Sequence, residues 1–455
     1  MKINLAGYNI DKSLIDELNS IYATPETISA AYARISRSSL SVDSLRKNAL
    51  LDIKKARDSN VNIVFSMGHS SISEHAVFNF DIVGVSRLLS ELIQKSRFAS
   101  FTEKSQRYVT IGKDYLVPKE IKNTILEKNF VKTVKNQNKL YKKLCEMAQE
   151  YLLKNKFSKN KKDIKIKAKE DARYFLPLAT LTQMGITINA RSLNRLLLRL
   201  DKSNLLESMV LKNKLESIAK KVAPSLIRYT KAQKYELNTF LSKNSNPTIC
   251  KDISLFPDTN NVDDVVLSGF MFESGITFAE AKNRVLQLNN DEKKLLFNKI
   301  FSNLESFNKL PRVFELATFS INLCCSSSCF AQLKRHRVFS ILKTNYHPKN
   351  GFVTPNLIKQ LKMTNCINEL INETNKLFFK LENKKEGLGS YILTNSHRIE
   401  VLIKTNLREL YHFSRLRSDI HAQWEIRNIS IEIDKKLRKI APLSTQKLGG
   451  KNDFE

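Results

Sequence analysis

The feature that most constrains this chain is an order of parts that occurs twice. In the first copy, Phe78, Phe80 and Ile82 alternate with Asn79 and Asp81, a strand-like period of two that Gly84 interrupts. Ser86 then stands where an N-cap would stand for the helix SRLLSELIQKS. In the second copy, within the strand-like run Glu315 to Cys324, Phe319, Ile321 and Leu323 alternate with Ser320 and Asn322. A short helix follows and leads into AQLKRHRVFSILKTNYH. A repeated strand–helix–motif unit predicts two copies of one domain rather than two unrelated folds. A length of 455 residues suits two domains, and 42% apolar residues are enough for two cores and exclude a disordered chain. Residues 236–263, rich in Asn, Ser, Pro and Asp with weak periodicity, read as a connector between domains at 1–235 and 264–455.

Around these copies the sequence predicts further elements. Thr24-Pro25-Glu26 is a helix start with a capping side chain and a proline at the first helical position. A second helix begins near Ser41, Val61 to Phe65 reads as a short strand, and residues 119–156 read as a basic amphipathic helix. The densest basic run, Lys154 to Lys169, reads as a solvated loop. The six cysteines, at 145, 250, 324, 325, 329 and 366, fit neither a disulfide ladder nor a zinc pattern. Cys324, Cys325 and Cys329 read as small buried hydrophobes in a reducing cytoplasm. No metal site is expected. MKINLAGYNIDKS lacks the apolar core of a signal peptide, and no apolar run reaches membrane-spanning length, so a soluble cytoplasmic protein is expected.

Polar side chains concentrate in four places. GHSSISEHA carries His69, Ser71, Glu74 and His75, and TEKSQRY carries Glu103, Ser105, Gln106 and Arg107. EDARYFLPLATLTQMGITINAR carries Arg173, Leu176-Pro177, Asn189 and Arg191. In the second copy, Gln332 precedes Arg335-His336-Arg337, and TNLRELYHFSRLRSDIHAQWEIR carries Asn406, Arg408, His412, Arg417 and His421. Forked arginines suit a phosphate better than lysines do. Taken singly, each group has a bland reading as a basic surface triplet, a solvated turn or a polar core site.

The order and spacing of these groups resemble the flavin-dependent thymidylate synthases. That family carries a His-x-Ser/Thr-x-x-Glu-His start, an Arg-His-Arg triplet, a Ser-x-Arg loop, and a late Ala-Gln-x-Glu-Ile-Arg run. The first copy keeps the start and the loop but has Lys95 and Ser96 in the triplet and Leu200, with Arg199 one place off, where the late arginine belongs. The second copy keeps the triplet and the late run but has Asn345, His347 and Ser390 at the other side's positions. The resemblance implies an α/β (α+β) fold, two tandem copies of the synthase domain, each a twisted mainly antiparallel sheet flanked by helices. It implies FAD as cofactor, NADPH and 5,10-methylenetetrahydrofolate as co-substrates, and reductive methylation of dUMP to dTMP.

By the same resemblance, dUMP falls to Gln332, Arg335, Ser105, Gln106, Arg107, Arg173 and Arg417, with Arg417 and Ser105 as catalytic candidates. FAD falls to His69, Ser71, Glu103, Arg335, His336, Arg337, Asn406, Arg408, His412 and His421. Each copy retains one side of an intersubunit site, which implies one composite site per chain and a homodimer imitating the family's tetramer. No Gly-x-Gly-x-x-Gly fingerprint marks a Rossmann nicotinamide site. Two rival classes are an inactive synthase-derived binding or regulatory protein, and an RNA-binding or RNA-uracil-modifying protein suggested by the +30 charge. The Lys154–Lys169 run lacks aromatic platforms beyond Phe157, so nucleic acid is not the expected partner.

Overall fold

A computed structural model of the chain describes residues 1–11, 23–35, 38–109, 114–233 and 253–454. In chain order the elements are β1 Lys2–Tyr8, α1 Glu26–Arg34, α2 Val42–Leu51, α3 Ile53–Asn60, β2 Val77–Ser86, α4 Arg87–Ile93 and β3 Ala99–Glu103. Then come α5 Ile125–Lys154, α6 Lys161–Ala172, β4 Leu181–Asn189, α7 Ala190–Lys202, α8 Leu206–Val222 and β5 Ser254–Pro257. The remainder is α9 Val262–Glu273, α10 Phe278–Gln287, α11 Asn290–Phe301, β6 Thr318–Ser326, α12 Ser327–Leu333, β7 Ser340–Lys343, α13 Asn356–Gln360, α14 Thr364–Lys384, β8 Arg398–Asn406, α15 Leu407–Arg417 and α16 Trp424–Ile440. The chain forms two compact units, Met1–Ser245 with Pro355–Thr394, and Asn246–Thr354 with Asn395–Glu455. No helix among the described residues is long and apolar enough to cross a membrane.

The first unit is built on a four-stranded antiparallel sheet, in the order β1-β2-β4-β3. The period-two pattern of β2 puts Phe78, Phe80 and Ile82 on the buried face, opposite Ile188, Ile186 and Met184 of β4. Leu193, Leu196, Leu197 and Leu200 of α7 and Leu211 and Leu215 of α8 close that face. Each such side chain contributes about 1.5–3 kcal/mol on burial. Gly84 does not end β2; with φ +74 it carries a bulge between Val83 and Val85, and the strand continues to Ser86. Helices α5, α6 and α14 also belong to this unit, and Gln137 of α5 donates to Thr374 of α14 at 3.0 Å and to the Ile392 carbonyl at 2.9 Å.

The second unit repeats the sheet as β5-β6-β8-β7, again antiparallel throughout. Phe319, Ile321 and Leu323 of β6 and Ile399, Val401 and Ile403 of β8 are fully buried. The repeat extends to single hydrogen bonds. In the first unit the Ser86 hydroxyl accepts from Leu89 N–H, and Ser86 donates its own N–H and O–H to buried Glu207 at 2.7 and 2.6 Å. In the second, the Ser326 hydroxyl accepts from Cys329 N–H, and Ser326 donates to buried Glu425 at 2.9 and 2.5 Å. Two copies of one α/β (α+β) domain, with mainly antiparallel sheets and flanking helices, are therefore present.

Several local expectations are corrected. Val61 to Phe65 is not a strand: Val61–Ser66 is a π-helical continuation of α3 that buries Val64 against the core. The run Lys154–Lys169 is not all loop. Asn160 caps α6 through Lys162 N–H, and Ile164, Ala168 and Ala172 supply the buried stripe that makes Lys161 onward helical. The Thr24 hydroxyl accepts from the Glu26 amide, as a helix start should, while Pro25 takes the cap position. Of the connector 236–263, residues 236–252 lie outside the described residues, and Ser254–Pro257 forms the edge strand of the second sheet. Cys250 lies outside them too; the other five cysteines form no disulfide among the described residues, and Cys325 and Cys329 are buried while Cys324, expected to be buried with them, is only half-buried.

Candidate functional site

In the second unit, β6 delivers the chain into α12, whose end places Gln332, Arg335, His336 and Arg337 in sequence. Helix α15 enters from β8 and carries Arg408, Glu409, His412 and Arg417. Its N-cap is Asn406, whose side-chain oxygen accepts from Glu409 N–H at 2.9 Å. The two helices meet through one arginine. Arg417 donates from Nε to His336 Nε2 at 3.0 Å, and from its Nη atoms to the Gln332 side-chain and main-chain oxygens, each at 3.4 Å.

His336 is 4% exposed, ringed by Phe339, Phe413 and His412. Burial, the Arg417 charge and the His412 charge push its pKa down to about 3, so the ring is neutral at ordinary pH. Its 3.6 Å approach to Glu409 is thus not an ion pair. Burial raises the Glu409 pKa against the pull of His412 and Arg408. His336, Glu409 and His412 bring potential metal-ligand atoms within 4.8 Å of one another. With Nε2 accepting from Arg417, Nδ1 carries the ring proton; it lies 3.6 Å from Glu409, beyond hydrogen-bond length, and has no hydrogen-bond partner among the described residues. Arg335 and Arg337 stand exposed beside this network, and Gln332 Nε2 is a buried donor with no hydrogen-bond partner in it. The donor set fits an acceptor-rich, anionic ligand such as a nucleotide or the diphosphate of a dinucleotide.

In the first unit, the segment after β3 carries Ser105, Gln106 and Arg107, and α6 ends at Arg173. Glu170 joins them: its carboxylate pairs with Arg107 at 2.6 Å, and its carbonyl accepts from Arg173 Nε at 3.2 Å. The Ser105 hydroxyl accepts from Arg107 N–H at 3.2 Å, which leaves its own O–H to donate elsewhere. Arg173 is 7% exposed. Burial pushes its pKa below the ordinary arginine value, and the charges of Arg107 and Arg87 add to that shift against Tyr174 and Glu170. Arg107 is thus paired with the Glu170 carboxylate, Arg173 is held by the Glu170 carbonyl, and Arg87 is paired with Glu91 at 3.3 Å, which leaves a cluster of arginines suited to an anion.

Other predicted residues are placed apart or given structural duties. His69 and Ser71 are exposed at the turn Ser70–His75, His75 packs edge-on against Tyr32, and Glu74 pairs with Arg191. Glu103 accepts from Gln94 at 2.8 Å. Arg408 is held by the Leu310 carbonyl and Glu315, both at 2.7 Å, and His421 is exposed after α15. Sequence reasoning missed Glu170, Glu409 and Arg87, whose only signal is proximity to predicted residues on α6, α15 and α4. Arg199, which the sequence places one position off the late arginine, is given partners by the structure. Leu200 is fully buried, and its neighbour Arg199 donates to the Ser96 hydroxyl at 3.0 Å and the Leu92 carbonyl at 3.4 Å. Those partners correspond in the repeat to His336 and Gln332, the partners of Arg417.

The family model described as thymidylate synthase complementing protein matches residues 17–225 and 273–443. The chain is 34% identical over 211 residues to the flavin-dependent thymidylate synthase of Clostridium tetani, covering 45% of this chain and 82% of that one. It is 22% identical over 425 residues to a UPF0159 protein of Chlamydia muridarum, covering 86% of this chain and 80% of that one. Among solved structures, the flavin dependent thymidylate synthase of Helicobacter pylori complexed with FAD and dUMP is similar over 51% of this chain and 100% of its own, with 21% identity and a TM-score of 0.34. The family model thus meets the chain in two segments, one on each copy of the repeated sheet, and the chain belongs to the thymidylate synthase complementing protein family.

Proposed function

We propose that this protein is a flavin-dependent thymidylate synthase that converts dUMP to dTMP with methylenetetrahydrofolate and NADPH, using one composite site per chain to which both repeats contribute. The observation that carries this reading is the Arg417–His336–Gln332 network, a fixed guanidinium beside an unpartnered buried amide donor. The complementary retention of motifs supports the composite site. The first repeat keeps Ser105, Gln106, Arg107 and Arg173, and the second keeps Gln332, Arg335 to Arg337 and Arg417.

In this reading Arg107, Arg173 and Arg335 hold the dUMP phosphate through forked donors, and the Ser105 hydroxyl donates to it. Gln332 orients the uracil, and Arg417 stabilises negative charge that develops along the N3/O2 edge. Neutral His336 is a positioning residue: it fixes the Arg417 guanidinium without adding a competing charge. FAD would be held by His336, Arg337, Asn406, Arg408, His412 and His421, with His69, Ser71 and Glu103 closing the far side; once reduced, it supplies the hydride. A homodimer that imitates a tetramer of single-domain synthases, acting in the cytoplasm, goes with this reading.

The test is dTMP formation by purified protein supplied with dUMP, methylenetetrahydrofolate, NADPH and FAD, with each omitted in turn. Production that depends on all four supports the proposal. A flavin-bound protein that makes no dTMP would favour the derived binding protein instead.

A further inference from the structure

Helix α5 carries a feature that the synthase reading does not use. Its buried face is formed by residues such as Phe130, Val134, Tyr141 and Leu144. Along the opposite face Lys128, Lys132, Lys135, Lys139, Lys142 and Lys143 are all exposed. Their steps of four, three, four, three and one keep them on one stripe of the helix, spanning about 22 Å. Like charges at such spacings repel and weaken a helix. None of the six has an ion-pair partner among the described residues. Beyond exposed Glu146 and Glu150, which interrupt the row, further exposed lysines stand at Lys154, Lys156 and Lys159 and at Lys161, Lys162 and Lys165 of α6, which packs beside α5. Helix α14, which the second repeat carries between its own third and fourth strands, has exposed Glu369 and Glu373 beside Lys376 and Lys380. On α5 the acidic residues of that face, exposed Glu146 and Glu150, come only after Lys143, so the six lysines from Lys128 to Lys143 form a row with no carboxylate among them.

We propose that the lysine face of α5 docks the phosphate backbone of a nucleic-acid duplex, without reading its sequence. Charge complementarity names the partner: a straight row of point charges faces a backbone that carries one negative charge per roughly 1.7 Å of duplex axis. Exposed aromatic side chains, which single strands need as stacking platforms, are absent from the row itself, and Phe157 stands beyond the end of the helix. Lysine, a point charge without a rigid fork, suits sequence-independent contact with phosphates. The proposal stands apart from the synthase chemistry, because none of these lysines belongs to the site described above.

The test is fluorescence anisotropy of the full-length protein with labelled mixed-sequence duplexes of about 20 base pairs, one DNA and one RNA, and the matching single strand. Six phosphate contacts predict a log–log salt slope near −5, or roughly a thousandfold weaker binding between about 50 and 200 mM salt. Changing Lys132, Lys135, Lys139 and Lys142 together to Glu should weaken binding at least about a hundredfold and flatten the slope by about 0.9 per lysine. If that variant misfolds by circular dichroism, the Lys→Gln set replaces it. Lys435→Glu with Lys439→Glu, on exposed positions of α16, should change binding little. The DNA and RNA arms identify the duplex. Absence of duplex binding at low salt, an unchanged slope in the α5 variant, equal loss in the α16 variant, or tighter binding of the single strand would each overturn the proposal.

Discussion

Arg417 donates its Nε–H to Nε2 of His336 at 3.0 Å, and this contact fixes the protonation of the histidine. An imidazolium would set a second positive charge against the guanidinium inside a buried site. The folded-state pKa of His336 is therefore depressed to about 3 from an ordinary 6.5. A base held neutral in the fold contributes stability above its unfolded pKa and loses it as pH falls, because the unfolded chain then binds the extra proton. Between pH 6.5 and about 3 stability should fall with a limiting slope of about 1.4 kcal/mol per pH unit from this group, partly offset by Glu409, whose pKa is raised. Urea unfolding across this range should show a shallower pH dependence in His336→Gln; an identical dependence would contradict the neutral assignment.

Substitution of Arg417 or Arg335 by Ala should abolish dTMP formation, and Ser105→Ala or Arg107→Ala should reduce it. Loss of one charge-assisted contact costs about 1.5–3 kcal/mol, or roughly ten- to a hundredfold in kcat/KM. His336→Gln should lower kcat more than it raises KM, because it acts through the aim of Arg417. A change confined to KM would assign His336 to simple binding.

Positions that have departed from the family pattern should behave differently. Lys95 and Asn345 are exposed, and their Ala variants should stay within about ±0.5 kcal/mol in both stability and transition-state binding. Leu200→Arg should not recreate a second site. Leu200 sits in the core at 0% exposure, and Arg199 already spans to Ser96 and Leu92, so the variant should unfold at lower urea without gaining flavin.

Glu207 and Glu425 make the same pair of bonds to Ser86 and Ser326 in the two repeats. Glu425→Ala should destabilise the protein by about 1–3 kcal/mol, since it leaves the Ser326 N–H and O–H without their buried acceptor. The midpoint of urea unfolding measures this, and an unchanged midpoint would mean the bond is replaced by water.

The strands of both copies were legible because each has one buried face, and period-two alternation states that directly for Phe78, Phe80, Ile82 and for Phe319, Ile321, Leu323. The Ser86 N-cap was legible because a serine stands directly before the apolar spacing of its helix, whereas Ser326, which caps the matching helix in the second copy, was not read as a cap. Val61 to Phe65 misled because a short apolar run does not distinguish a strand from a helix that buries one residue. The Lys154–Lys169 run misled because charge hid the spacing of Ile164, Ala168 and Ala172. Within the site, the arginines were legible by type and order. Glu170 and Glu409 were not, because a carboxylate's role as an organiser depends on which cations the fold brings to it. Arg199 was visible in the sequence only as one place off the pattern; that it reaches Leu92 and Ser96, the residues corresponding to Gln332 and His336, depends on the fold.

The central claim is that the two repeats together supply one flavin site per chain. Titration of the purified protein with FAD, followed by flavin absorbance together with the light-scattering mass, tests it most directly. A homodimer that saturates at one FAD per chain, with binding lost in Arg337→Ala, is the expected result. Saturation at two equivalent FAD per chain, or no FAD binding by a folded dimer, would contradict it.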